Sequence, residues 1–135
     1  MTRRRSIAVM MVLALQFSFV SAARANPAID ICASLVNART ALYSMMKAKD
    51  QSARDALKLK MQAASTKLDS ALADLTDADA KTAAEFKAIW DHFKTTRDKE
   101  IIPAIYRDNT DDAKKLADGI QYERFSKMWS IMSCK

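Results

Sequence analysis

Residues 50–75 read DQSARDALKLKMQAASTKLDSALADL, and this stretch decides the architecture. Leu57, Met61, Ala64, Leu68, Ala71 and Leu75 recur at steps of three and four. That is the period at which side chains return to one face of an α-helix. Lys58, Lys60, Lys67, Asp69 and Asp74 fall between them, and neither Gly nor Pro interrupts the run. Asp50 stands where a side-chain oxygen can accept from the free N–H groups of the first turn. A helix with one apolar stripe needs partners to cover it.

The same pattern continues on both sides. Upstream, Asn26-Pro27 is a helix start, with Asn as cap and Pro at the first helical position. Ala28, Cys32, Leu35, Leu42 and Met46 follow in helical register, and Ile29, Val36 and Tyr43 widen the stripe. Downstream, Thr76 and Asp79 form a loose capping box before a third helix carrying Ala83, Phe86, Ile89, Trp90, Phe93, Ile101 and Ile105. Pro103 is expected to kink or shorten that helix. Asn109 or Thr110 caps a fourth, with Asp111 and Asp112 suited to its dipole. Its stripe is Ala113, Leu116, Ala117, Ile120, Phe125, Met128, Ile131 and Met132. Four amphipathic helices with very short connections predict an all-α, up-down-up-down antiparallel four-helix bundle. One Gly and two Pro exclude turn-rich β architectures. A lone Gly119 excludes a P-loop or a dinucleotide fingerprint.

Two segments are expected: residues 1–25 as a cleavable signal peptide and 26–135 as the four-helix domain. Met1–Arg5 holds three arginines, Ile7–Val20 is almost wholly apolar, and small residues lead to Ala25. This is the layout of a secretory signal cleaved before Asn26. The apolar run is shorter than the roughly 20 residues a membrane span needs. Removing it takes away four arginines and leaves 18 Lys/Arg against 16 Asp/Glu, a net of +2. The basic character therefore belongs largely to the leader, and no nucleic-acid partner is expected. The expected product is soluble and periplasmic. In that compartment the pair Cys32 and Cys134 reads as a disulfide. The bundle topology places both at one pole on adjacent helices.

A resemblance rests on the stretch from Ala84 to Met132. It contains Phe86-Lys-Ala-Ile-Trp90-Asp-His-Phe93, Arg97-Asp-Lys-Glu-Ile101-Ile102, Asp108-Asn109-Thr110-Asp-Asp-Ala113 and Tyr122-Glu-Arg-Phe125-Ser-Lys-Met128. It resembles the second half of the four-helix-bundle sensor domain of methyl-accepting chemotaxis receptors, while Asn37-Ala-Arg39 matches that family's first helix loosely. Those domains sit between two membrane-spanning helices. Here no second apolar run of spanning length occurs, so transmembrane signalling is not expected of this chain. The resemblance implies a detached, sensor-like binding module, with a small ligand or a membrane receptor as partner. It also implies a homodimer as one option, because such bundles pair along their long axes; Tyr122 and Trp129 are expected to be exposed near the closing end.

Two arginines fall at apolar positions of the helical register. Arg39 follows Leu35 and precedes Leu42 and Met46; Arg97 follows Trp90 and Phe93. Counted from one pole, both lie about 15 Å down the bundle, level with Gly119. The expected site is a pair of guanidiniums clamping a small anion, with room at Gly119 and walls from Tyr43, Trp90 and Phe93. The competing reading has the arginines snorkel and pair with Asp98, Asp118 or Glu123, and Gly119 mark a close approach or a bend. Catalysis is not expected: His92 is the single histidine, and no metal-ligand spacing or nucleophile–base pair occurs. No metal or other cofactor is expected either. Haem lacks its C-x-x-C-H attachment or a fourth-helix histidine, and Met128 and Met132 read as core filler rather than copper ligands. The alternative function class is a periplasmic structural or chaperone-type protein of the Spy/CpxP kind. Of that family's Leu-Thr-x-x-Gln motif only Leu75-Thr76 is present.

Overall fold

The computed structural model describes residues 26–135; the expected signal peptide lies outside the described residues. Those residues are helical, without a strand among them, and gather into four rods packed together. The first is α1 (Pro27–Lys47) and the second is α2 (Gln51–Ala78). The third is α3 (Ala80–Thr96), continued by a π-helical turn (Arg97–Ile101) and α4 (Ile102–Tyr106). The fourth is α5 (Thr110–Asp118) followed by α6 (Ile120–Ile131).

Side-chain caps explain where the rods begin. Asn26 accepts from the N–H of Ala28 at 3.0 Å, and Asp50 from that of Ala53 at 2.8 Å. Asn109 accepts from Asp112 at 3.4 Å. The second boundary differs from the expected Thr76 box. Helix α2 runs on to Ala78, and Asp79 alone caps α3, accepting from the backbone and hydroxyl of Thr82 at 3.0 and 2.7 Å. Thr76 instead donates its hydroxyl back to the Leu72 carbonyl at 3.0 Å, a bond available only inside a helix. The fourth rod is also not one helix. It breaks at Gly119, whose φ of −92° and ψ of −108° lie outside the helical region. Ile120, expected in the stripe, is 42% exposed beyond that break.

The third rod meets its proline by changing pitch rather than by a sharp stop. Ile102 N–H reaches back five residues to Arg97, the bond of a π-turn, and Pro103 then occupies the first turn of α4. The extra residue corrects the phase of the apolar face. Ile105 follows Phe93 by twelve positions. In an unbroken α-helix it would point about 120° away from the Phe93 face, and absorbing one residue reduces the offset to about 20°. Ile101, Ile102 and Ile105 are accordingly buried.

The core has two layers. One holds Ile31 and Leu35 of α1, Leu68, Ala71 and Leu72 of α2, Phe86, Trp90 and Phe93 of α3, and Met128 of α6. The other holds Leu42 and Met45 of α1, Met61 of α2, Ile101 and Ile105 around the π-turn, and Ala113 and Ala117 of α5. Cys32 and Cys134 are disulfide-bonded beside the first layer, their Cα atoms 5.7 Å apart. At the second layer's end, buried Arg54 donates to the Ala48 carbonyl at 3.2 Å and pairs with Asp108 at 2.7 Å. It thereby ties the 48–50 connection to the 107–109 connection. Asp108 takes a left-handed φ of 58°, which a short polar residue adopts more readily than most.

Candidate functional site

Helix α1 packs closely along α2, and α3 packs on both α2 and α6, whereas α1 approaches α6 only sparsely. A groove is left between α1 and α6. One end is a cavity of about 680 Å³ beside the disulfide, lined by Ile29, Ala33, Val36, Trp129 and Met132 among others. The other is a cavity of about 440 Å³ lined by Arg39, Thr40, Tyr43, Lys47 and Phe125, and both share Val36 and Trp129.

Arg39 stands in this groove for a reason legible in the chain. Its position in the register turns it towards neighbouring helices, while its long stem carries the charge to the edge. The guanidinium carbon lies 4.7 Å from the Phe125 ring centre, 5.0 Å from Tyr43 and 5.5 Å from Tyr122. Such distances place a cation in the electronegative field of the ring faces. Its one side-chain hydrogen bond is a long one, 3.5 Å, donated by Nη2 to the Tyr43 hydroxyl. Among the described residues no carboxylate pairs with it within 4.0 Å.

The nearest carboxylate, Asp118, is engaged elsewhere. It accepts from the Tyr43 hydroxyl at 2.5 Å and pairs with Lys114. Lys114 first and Tyr43 next hold its carboxyl below the usual range. The same bond raises Lys114 above its ordinary value. Burial, and then the bond to Asp118, push the Tyr43 phenol up. Tyr43 therefore stays a neutral donor to Asp118 and stands between that carboxylate and Arg39, whose charge reaches Asp118 without a direct ion pair.

Arg97 is placed differently. It is 3% exposed, donates from Nε and Nη2 to Asp98 at 2.7 and 3.2 Å, and from Nη1 to the Ser65 hydroxyl at 2.7 Å. Trp90 and Phe93 stack on each other at 5.5 Å in the core. Trp90 Nε1 donates to Asp69 at 2.7 Å, which also receives Lys94. The expected six-residue site thus divides. Arg39 and Tyr43 meet at the α1–α6 groove; Arg97, Trp90 and Phe93 lie on the α2–α3 side, and Arg97 already has its anion. Gly119 supplies no ligand room: a side chain there would meet the Lys115 carbonyl at 2.9 Å, so its role is the break between α5 and α6.

Several contributors were read from the sequence in other roles or not at all, Phe125 as stripe and Tyr122 and Trp129 as a pairing surface. Tyr122, Phe125 and Trp129 form the facing wall, with Phe125 stacked on Trp129 at 5.5 Å. Their spacing of three and four was the available signal, a second aromatic face beside the buried one. Gln121 is buried and donates to the Phe93 carbonyl at 2.9 Å, while Arg124 donates to Thr96 at 2.7 Å and Gln121 at 2.9 Å. These two grip α3 where it enters the π-turn. Among the described residues no group of three or more His, Cys, Asp or Glu side chains is placed to hold a metal. No helix among them is long and apolar enough to cross a membrane. No family model, curated protein or solved structure matches the chain at a significant level.

Proposed function

We propose that the chain is an exported, non-catalytic binding module that holds a small anion at Arg39 in the α1–α6 groove. The observation that carries this reading is a half-buried guanidinium held by three aromatic rings, lining a cavity, with no carboxylate paired to it within 4.0 Å among the described residues. An anion entering the groove would meet preorganised N–H donors in a partly desolvated setting, where a charge-assisted bond is strongest. Tyr43 and Asp118, bonded to each other, hold the cage in shape. The anchor pair expected from the sequence is reduced to one arginine, with Lys47 at the cavity edge.

The reading includes an up-down-up-down course for the rods. Its support is that each core layer draws on opposite halves of successive rods, and that Arg54 joins two connections. Export to the periplasm rests on the leader-like residues 1–25, and the disulfide is compatible with it. The likeness to chemoreceptor sensor domains favours presentation of the bound state to a membrane receptor.

Titration calorimetry on the disulfide-bonded protein with small carboxylates and phosphates tests the site. Arg39→Ala is expected to abolish binding of any hit. Arg97→Ala is expected to lower Tm and leave affinity within about twofold, since its carboxylate is already in place and its loss is a stability matter. Binding that survives Arg39→Ala would end the proposal, and a blank panel would turn attention to protein partners.

A further inference from the structure

Resting on the binding-module reading, we propose that the α1–α6 groove takes a single-tailed amphiphile with an anionic head, the head at Arg39 and the acyl tail running past Val36 and Trp129 towards the disulfide. Three observations carry this. First, the two cavities share Val36 and Trp129 and so form one track, with Arg39 and Lys47 at one end and a mostly apolar lining towards the disulfide, where Lys135 also lines it. Second, one face of α1 presents Ile29, Ala33 and Val36, with Arg39 about 80° round the helix from Ile29, and two of the three are large apolar side chains left out of the core: Ile29 is 66% and Val36 39% exposed. The rise from Ile29 to Arg39 is about 15 Å, long enough for a fully extended decyl chain. Third, the lining carries Arg39, Lys47 and Lys135 and no Asp or Glu side chain.

That charge pattern favours an amphiphile over a second copy of the chain. A two-fold dimer across this groove would set the same surface against itself, cations facing cations with no Asp or Glu in the cavity lining. A tailless anion, in turn, would leave the Ile29, Val36 and Trp129 stretch of the track uncovered. The head is defined by its chemistry, so a carboxylate and a phosphate monoester both qualify.

The test is titration of the disulfide-bonded protein with butanoate, octanoate, decanoate and decyl phosphate below their micelle concentrations, with decyltrimethylammonium as charge control. Affinity is expected to rise about twofold to fourfold per added methylene, the upper figure corresponding to about 0.8 kcal/mol for full burial. Arg39→Gln and Ala33→Glu are each expected to weaken decanoate at least tenfold. Ala33 is exposed, so its variant reads the tail track even if the Arg39 variant folds poorly. A brominated tail is expected to quench Trp129 and not the fully buried Trp90, with Trp129→Phe as control.

Equal affinity for butanoate and decanoate would overturn the tail assignment while leaving the anion site standing. Equal binding of the cationic amphiphile would overturn the head assignment. No binding of any anion would overturn both. A dimer that Ala33→Glu dissociates, without amphiphile binding, would give the groove to a second copy and overturn the inference.

Discussion

Two arginines with the same place in the helical pattern have opposite settings. Arg97 is closed in by Asp98 and Ser65, while Arg39 has rings around it and no anion. Both were visible in the sequence as charges at apolar positions. Their surroundings were not, because Phe125 and Tyr122 reach Arg39 from another helix. The carboxylates bring a pH dependence. Thr82, through its side chain and then its backbone, lowers Asp79, and Lys114 and Tyr43 lower Asp118, both below the ordinary 3.8. A folded-state value below the unfolded one adds stability that is complete above the unfolded value and lost as pH falls through the folded one. Melting temperature is therefore expected to hold from neutral pH to about 5 and to drop below about 4, the range in which free carboxylates protonate. The double variant Asp79→Asn, Asp118→Asn should flatten that drop; an unchanged acid limb would contradict the assignment.

At the scale of elements, the sequence carried the helices and most of their starts, because caps and apolar period are local. It carried less about their interruptions. Pro103 marked the third rod as perturbed, but the remedy lies upstream in the π-turn, where one added residue returns Ile101 and Ile105 to the core face. Gly119 was open to two readings, ligand room or a close approach or bend, and it is a break. The phase argument gives a sharp comparison between two exposed lysines. Deleting Lys99, inside the π-turn, would leave a plain α-helix whose apolar face stays aligned. Deleting Lys87, inside α3, would rotate one side of the cut by about 100° against the other. Thermal melts are expected to show a shift of a few degrees for the Lys99 deletion and loss of cooperative unfolding for the Lys87 deletion. Similar damage from both would mean that the turn does not set the phase.

For the whole molecule, four helices and a bonded cysteine pair were legible from the sequence, since each follows from periodicity, connection length and the parity of Cys. The groove was not. It depends on how far α1 stands from α6, a distance no single helix encodes. The disulfide secures that sparse side and closes a separation of 102 residues. For a loop of that size the chain-entropy model gives about 4–5 kcal/mol of stabilisation. Denaturation with and without reductant is expected to differ by about that amount, with helical content retained in the reduced protein because the buried members of both core layers do not include either cysteine. A difference below about 1 kcal/mol would place the stability in the layers alone.

The same bond gives the molecule a covalent outline that is not a line but a ring running from Cys32 to Cys134. Every connection between rods lies inside the ring, including the exposed Lys47 and Lys49 ahead of α2. A protease cutting there would sever the backbone without dividing the molecule. The two pieces would travel as one species until the sulfurs were reduced, so in an oxidising compartment a nicked copy would stay whole.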